Sequence, residues 1–150
     1  MGDLVIRAAT ADDLPAIVAM LADDPLGAQR ESPGDLTPYR AALERLAADP
    51  NQHLVVAVRE GRVIGSLQLT IIPGLSHQGA TRALIEAVRI HADERGSGLG
   101  SRLIEWAVDT SRRLGCRMVQ LTSDKTRTDA HRFYERLGFT ASHEGFKLRL

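Results

Sequence analysis

The run Arg95-Gly96-Ser97-Gly98-Leu99-Gly100 lies between an apolar strand pattern, Ala83 to His91, and an amphipathic helix pattern, Leu99 to Leu114. A further strand pattern, Arg117 to Ser123, follows the helix. Strand, helix and strand in that order form a crossover, which implies a parallel strand pair and an α/β fold. The glycines at the strand-to-helix turn let a ligand approach the backbone without side-chain collision. The first N–H groups of the helix, aided by its dipole, favour phosphate oxygens. A phosphorylated cofactor is the ligand this arrangement predicts.

Spacing separates the phosphate loops that share these ingredients. A nucleoside triphosphate loop, G-x-x-x-x-G-K-[ST], needs a Lys after its last glycine, whereas Gly100 is followed by Ser101-Arg102. A dinucleotide loop wants G-x-G-x-x-G and an acid about twenty residues on. Here Gly96, Gly98 and Gly100 give G-x-G-x-G, with Gln120 in the acid's place. The remaining pattern, Arg-x-x-Gly-x-Gly at Arg95, Gly98 and Gly100, resembles the pyrophosphate loop of the GNAT superfamily of N-acetyltransferases. A second stretch, Ala130 to Phe139, is similar to the superfamily's Ala-x-x-x-Tyr-x-x-x-Gly-Phe helix and turn. With the preceding strand and hairpin order, the resemblance covers nearly the whole chain.

The rest of the chain fits one domain. Leu4 to Arg7 is a short strand; Thr10 and Asp13 form a capping pattern before a helix with Leu14, Ile17, Val18 and Leu21 at helical spacing. A loop rich in Gly, Pro, Asp and Ser leads to Thr37-Pro38, which starts a second helix presenting Tyr39, Leu43 and Leu46; this segment reads as a lid. Leu54 to Val58 and Val63 to Ile71 are strand patterns split by Glu60-Gly61, a hairpin signal. In the helix after the glycine loop, Leu99, Leu103, Trp106, Thr110 and Leu114 form a core stripe. Asp129 to Leu137 reads as the last helix, and Phe139 to Ser142 and Phe146 to Leu150 as two closing strands.

A chain of 150 residues suits a single domain, residues 1–150, burying roughly two thirds of its unfolded surface. Lys plus Arg and Asp plus Glu balance at 19 each, so no basic footprint for nucleic acid or an anionic membrane is present. There is no signal-like leader or long apolar run, which makes the cytoplasm the expected location. Cys116 is the only cysteine; a disulfide is excluded, no metal site is expected, and a core role is expected over a nucleophilic one.

The resemblance implies a mixed, mostly antiparallel sheet with helices on both faces and a splayed parallel pair. It implies acetyl-CoA as co-substrate, held through Arg95, Gly96, Ser97, Gly98, Leu99, Gly100 and Ser101. The strand backbone at Val88, Arg89 and Ile90 would pair with the pantetheine arm. It assigns Tyr134 as the acid that protonates the leaving thiolate; a half-buried helix anchor is the other reading. Arg127 stands where the family often has Asn, so a phosphate contact replaces the usual one.

Glu86 interrupts an apolar strand, with alternation grouping it with Val88 and Ile90. A buried carboxylate there needs a partner, so it is either paired with an Arg or takes the proton of a substrate ammonium. His91, His131 and His143 read as surface or structural groups. Asp23, Asp24, Glu31 and Asp35 either attract a cationic acceptor or are simply solvated. The expected reaction is acetyl transfer to the primary amine of a small molecule, by direct attack in a ternary complex. A protein lysine or N-terminus as acceptor, or a noncatalytic CoA-binding module, is the alternative, and a homodimer remains open.

Overall fold

Five strands form one sheet in chain order: β1 (Leu4–Ala8), β2 (Gln52–Arg59), β3 (Arg62–Ile72), β4 (Arg82–Ile90) and β5 (Met118–Leu121). The first three pairings are antiparallel, and β5 lies parallel to β4 as the crossover requires. The computed structural model describes residues 2–150, which group into a larger unit ending at Gln120 and a smaller one beginning at Leu121. Six helical segments join the strands: α1 (Leu14–Ala22), α2 (Gly27–Arg30), α3 (Thr37–Ala47), α4 (Ser76–Gly79), α5 (Leu99–Arg113) and α6 (Thr128–Arg136).

The two faces of the sheet follow from register and the period of two along a strand. Val55 pairs with Leu67, Leu69 with Ile85 and Ile71 with Ala83, so these side chains share one face, and all are buried. That face receives Leu99, Leu103, Ile104 and Ala107 of α5. Gly65 is needed at this seam, because a Cβ there would stand 3.0 Å from Leu103 Cδ1 and 3.2 Å from the Arg89 carbonyl oxygen. On the opposite face, Leu54, Ser66 and Gln68 meet Leu14, Ile17 and Val18 of α1 and the inner side of α3. Trp106 is half-buried, as packing requires, whereas Leu114 is 48% exposed and lies beyond the stripe expected of it.

The entry into α1 is held by a buried carboxylate. Asp13 accepts from Arg7 Nη1 at 2.8 Å, from Arg7 Nη2 at 3.0 Å and from the Thr10 N–H at 2.8 Å. The Arg7 hydrogen bonds, foremost, hold its carboxyl below the ordinary Asp range. With the folded value depressed, this stabilisation is present above the unfolded carboxyl pKa and is lost as pH falls through the folded one. Asp13→Asn is therefore expected to cost about 2 kcal/mol near neutral pH, or a Tm drop of roughly 4–8 °C for a chain of this size. The gap from the parent protein should narrow as pH falls below the ordinary Asp range and through the folded carboxyl's own, which melting curves across acidic pH will show.

Two expectations are corrected here. The loop before α3 contains a helical turn, α2, whose first N–H, on Gly27, is capped by Asp24 Oδ1 at 2.5 Å. The closing strands expected at Phe139 to Ser142 and Phe146 to Leu150 do not form: residues 139–150 carry no ladder, and Phe146 and Leu148 are 93% and 88% exposed. Alternating apolar residues describe a surface able to pack, but a strand also needs a neighbouring backbone to hydrogen-bond.

Candidate active site

The decisive local feature of β4 is one extra residue. Gln68 pairs with Glu86 and Ser66 with Arg89, so between these pairs Leu67 of β3 faces two residues of β4, Ala87 and Val88. This is a β-bulge, and Ala87 within it has φ of 51°, a conformation that non-glycine residues rarely adopt. A bulge residue leaves the ladder and reverses the alternation beyond it. Because Ser66 and Gln68 lie on the same face of β3, Glu86 and Arg89 share that face, whereas Ile90, opposite Gly65, belongs to the α5 face. The grouping of Glu86 with Val88 and Ile90 is thereby overturned.

The environment of Glu86 also differs from expectation. Its side chain is exposed, and it makes no hydrogen bond or ion pair among the described residues. The buried pairing with an Arg that its place in an apolar strand suggested does not occur. Arg89 beyond the bulge is directed elsewhere: Nη1 donates to the Val88 carbonyl at 2.9 Å, and Nη2 lies 3.7 Å from Asp24 Oδ2.

A single 3-10 turn, Ala92–Glu94, carries the chain from β4 into the glycine loop. His91 Nδ1 accepts from the Asp93 N–H at 3.1 Å, a structural role. Ser97 Oγ donates to the Glu94 carbonyl at 2.6 Å and braces the loop from below. Gly98, the N-cap of α5, has φ of 84°, and a Cβ there would meet nothing within 4 Å. Gly96 has φ of 79° and the same open surroundings. Among the described residues, no backbone carbonyl accepts from the N–H of Gly96, Gly98, Leu99, Gly100 or Ser101; the first helical bond is Arg102 N–H to the Gly98 carbonyl at 3.2 Å. Five donors at a helix N-terminus beside open space are suited to phosphate oxygens. Arg95 pairs with Asp23 at 3.4 Å on the surface. Asp23 and Asp24 are thus partnered by Arg95 and Arg89, which removes them as free attractants for a cation.

The smaller unit holds the other candidates. Tyr134 is half-buried on α6, with Phe133 at 5.2 Å and Phe139 at 5.9 Å between ring centroids, both edge-on. Arg127 is the N-cap of α6, and its N–H donates to the Asp124 carbonyl at 3.0 Å. His131 Nε2 lies 2.8 Å from the same carbonyl, which makes it part of this turn. In the larger unit, burial pushes the Cys116 thiol up from its ordinary value, the opposite of what a nucleophile needs.

One cavity went unforeseen in the sequence. It has a volume of about 140 Å3 and lies between α1, α3 and the sheet, reaching Gln68 and the bulge residue Ala87. α3 covers it loosely: Tyr39, Ala42, Leu43 and Leu46 are only half-buried. The Tyr39 hydroxyl donates to Glu31 Oε1 at 2.9 Å and accepts from the Ser32 N–H at 2.8 Å, fastening α3 to the loop before it.

Comparison with known proteins agrees with this arrangement. Residues 14–139 match the model of the acetyltransferase (GNAT) family, across the boundary between the two units. The chain is 30% identical over 141 residues to an aminoalkylphosphonate N-acetyltransferase of Salmonella typhimurium, covering 94% of this chain and 88% of that one. It is 38% identical over 90 residues to a glucosamine 6-phosphate N-acetyltransferase of Trypanosoma brucei brucei, covering 60% and 59%. A solved structure described as a transcriptional regulator from Bacillus halodurans C-125 superposes with a TM-score of 0.95 at 46% identity, covering 99% of this chain and 100% of that chain.

Proposed function

The chain belongs to the GNAT family of acetyltransferases, and from that membership we propose that it moves an acetyl group from acetyl-CoA to the primary amine of a small molecule. The observation that carries this reading is the row of free N–H groups at the α5 start, directly after a strand that breaks its own ladder. When bound, acetyl-CoA supplies an activated acyl thioester. Gly96, Gly98, Leu99, Gly100 and Ser101 would receive its pyrophosphate oxygens, and Arg95, Ser97 and Arg127 are the further cofactor-binding residues of this reading. The bulge takes Ala87 and Val88 out of register with β3, and the backbone at Val88, Arg89 and Ile90 would pair with an extended arm and polarise a carbonyl. The two relatives named for small phosphorylated amines or aminophosphonates favour a small acceptor over a protein.

In this mechanism the amine attacks directly, since the single thiol is in the wrong state for a covalent relay. Glu86 Oε takes the proton of the acceptor ammonium, and Tyr134 Oη gives one to the departing thiolate. The whole chain works as one catalytic domain, in the cytoplasm. A thiol-release assay with acetyl-CoA over amines, amino acids, polyamines, aminophosphonates and peptides tests the reaction. Thiol release with none of them, together with no CoA binding in calorimetry, would overturn it.

The exposure of Glu86 sharpens one test. Without a partner to lose, Glu86→Gln is expected to leave Tm unchanged within about 0.5 kcal/mol of stability. As a base, it should cost about a hundredfold in kcat/KM at low pH, where free amine is scarce, and the acidic limb of the profile should vanish. A raised KM with kcat kept would make it an ammonium ligand instead, and an unaltered profile would remove it from the site.

A further inference from the structure

We infer that the acceptor amine carries an uncharged apolar group, which occupies the cavity beneath α3; this rests on the acetyl-transfer reading of the adjoining bulge. The cavity ends at Ala87 and Gln68, and Gln68 is the cross-strand partner of Glu86. A molecule filling it therefore reaches the β4 bulge, on the sheet face that Glu86 shares with Gln68. None of the residues lining it is Lys, Arg, His, Asp or Glu. A phosphate or phosphonate placed there would lose its water with no cation to replace it. Arg89 beside the bulge and Arg95 of the glycine loop already face Asp24 and Asp23.

Two of its polar side chains, Gln68 and Tyr39, are engaged with other protein groups. Gln68 Nε2 donates to Gln52 Oε1 at 3.1 Å, and Thr70 Oγ1 donates to the same oxygen at 2.9 Å, so the sheet's amides are tied into one row. The Tyr39 hydroxyl is engaged with Glu31 and Ser32, leaving its ring to the cavity. Ser66 adds one hydroxyl, and the remaining walls are aliphatic, from α1, α3, Leu54 and Ala87. At about 140 Å3, the space is the size of a phenyl or branched alkyl group. The substrate class is an arylalkylamine or branched alkylamine.

Steady-state thiol release with 3-phenylpropylamine, 2-aminoethylphosphonate, glucosamine 6-phosphate and spermidine tests this directly. The kcat/KM for 3-phenylpropylamine is expected to exceed each of the others at least about tenfold. Ala42→Trp, which fills the cavity from the outer helix, should raise KM for that amine about tenfold while KM for acetyl-CoA moves less than about twofold. Leu43→Ala, a second variant in case the first folds poorly, should shift preference towards 4-phenylbutylamine. Preference for the phosphonate, the phosphosugar or the polyamine would overturn the inference and leave acetyl transfer standing. Thiol release with no amine would overturn acetyl transfer; ligand-observed NMR with 3-phenylpropylamine then decides the cavity alone. Binding that Ala42→Trp abolishes supports it, and no binding overturns it.

Discussion

Tyr134→Phe is expected to lower kcat about a hundredfold or more while leaving the affinity for CoA within about twofold of the parent. The substitution removes one oxygen and keeps the ring, so the edge-on contacts with Phe133 and Phe139 survive. Loss of turnover then reports on the proton and leaves the packing of α6 aside. A thiolate leaving group needs that proton most when its own basicity is highest, so the defect should shrink with an acyl donor whose thiol is more acidic. Calorimetry for CoA and single-turnover rates for the two proteins supply the comparison. Equal single-turnover rates would leave Tyr134 as the half-buried anchor that its burial alone describes.

Gly98→Trp should abolish measurable CoA binding. Two effects add: a non-glycine residue at φ of 84° costs roughly 1–2 kcal/mol in backbone strain, and the indole occupies the space in front of the α5 N–H groups. Gly115 supplies the control, because it has nearly the same backbone, φ of 82°, and equally open surroundings at the far end of α5. Gly115→Ala should lose a similar amount of stability and retain CoA affinity in calorimetry. If both variants bound CoA alike, the loop would be a turn and nothing more.

The outcome for individual residues shows what a sequence of this kind discloses. The glycine loop, the hairpin at Glu60-Gly61, the Thr10–Asp13 cap and α5 were legible because each depends on residues adjacent in the chain. The bulge was not. Bulges are announced by glycine when the backbone needs positive φ, and here an alanine takes that conformation under tertiary constraint, so period-two reading ran straight through it. The exposure of Glu86 and the true partners of Asp23 and Asp24 were missed for the same reason: they depend on which distant strand or loop arrives alongside. The cavity was invisible because it is a gap between half-buried faces of α1 and α3, and apolar periodicity reports a face without reporting how closely another meets it.

The odd residue in β4 acts on the strand as a change of phase. Upstream of Ala87, the side-chain positions matched to Leu69 and Ile71 on β3 supply the interior; downstream the parity is exchanged, and Ile90 rather than Arg89 reaches the α5 side. Length changes in this strand are therefore counted in parity as well as in ångströms. Gain or loss of two residues would preserve which side chains see the ligand face, whereas gain or loss of one would drive the Arg89 guanidinium towards Leu99 and Leu103 and turn Ile90 outward. Substitution can tune the chemistry at this point, but variation by single-residue insertion or deletion is closed to it.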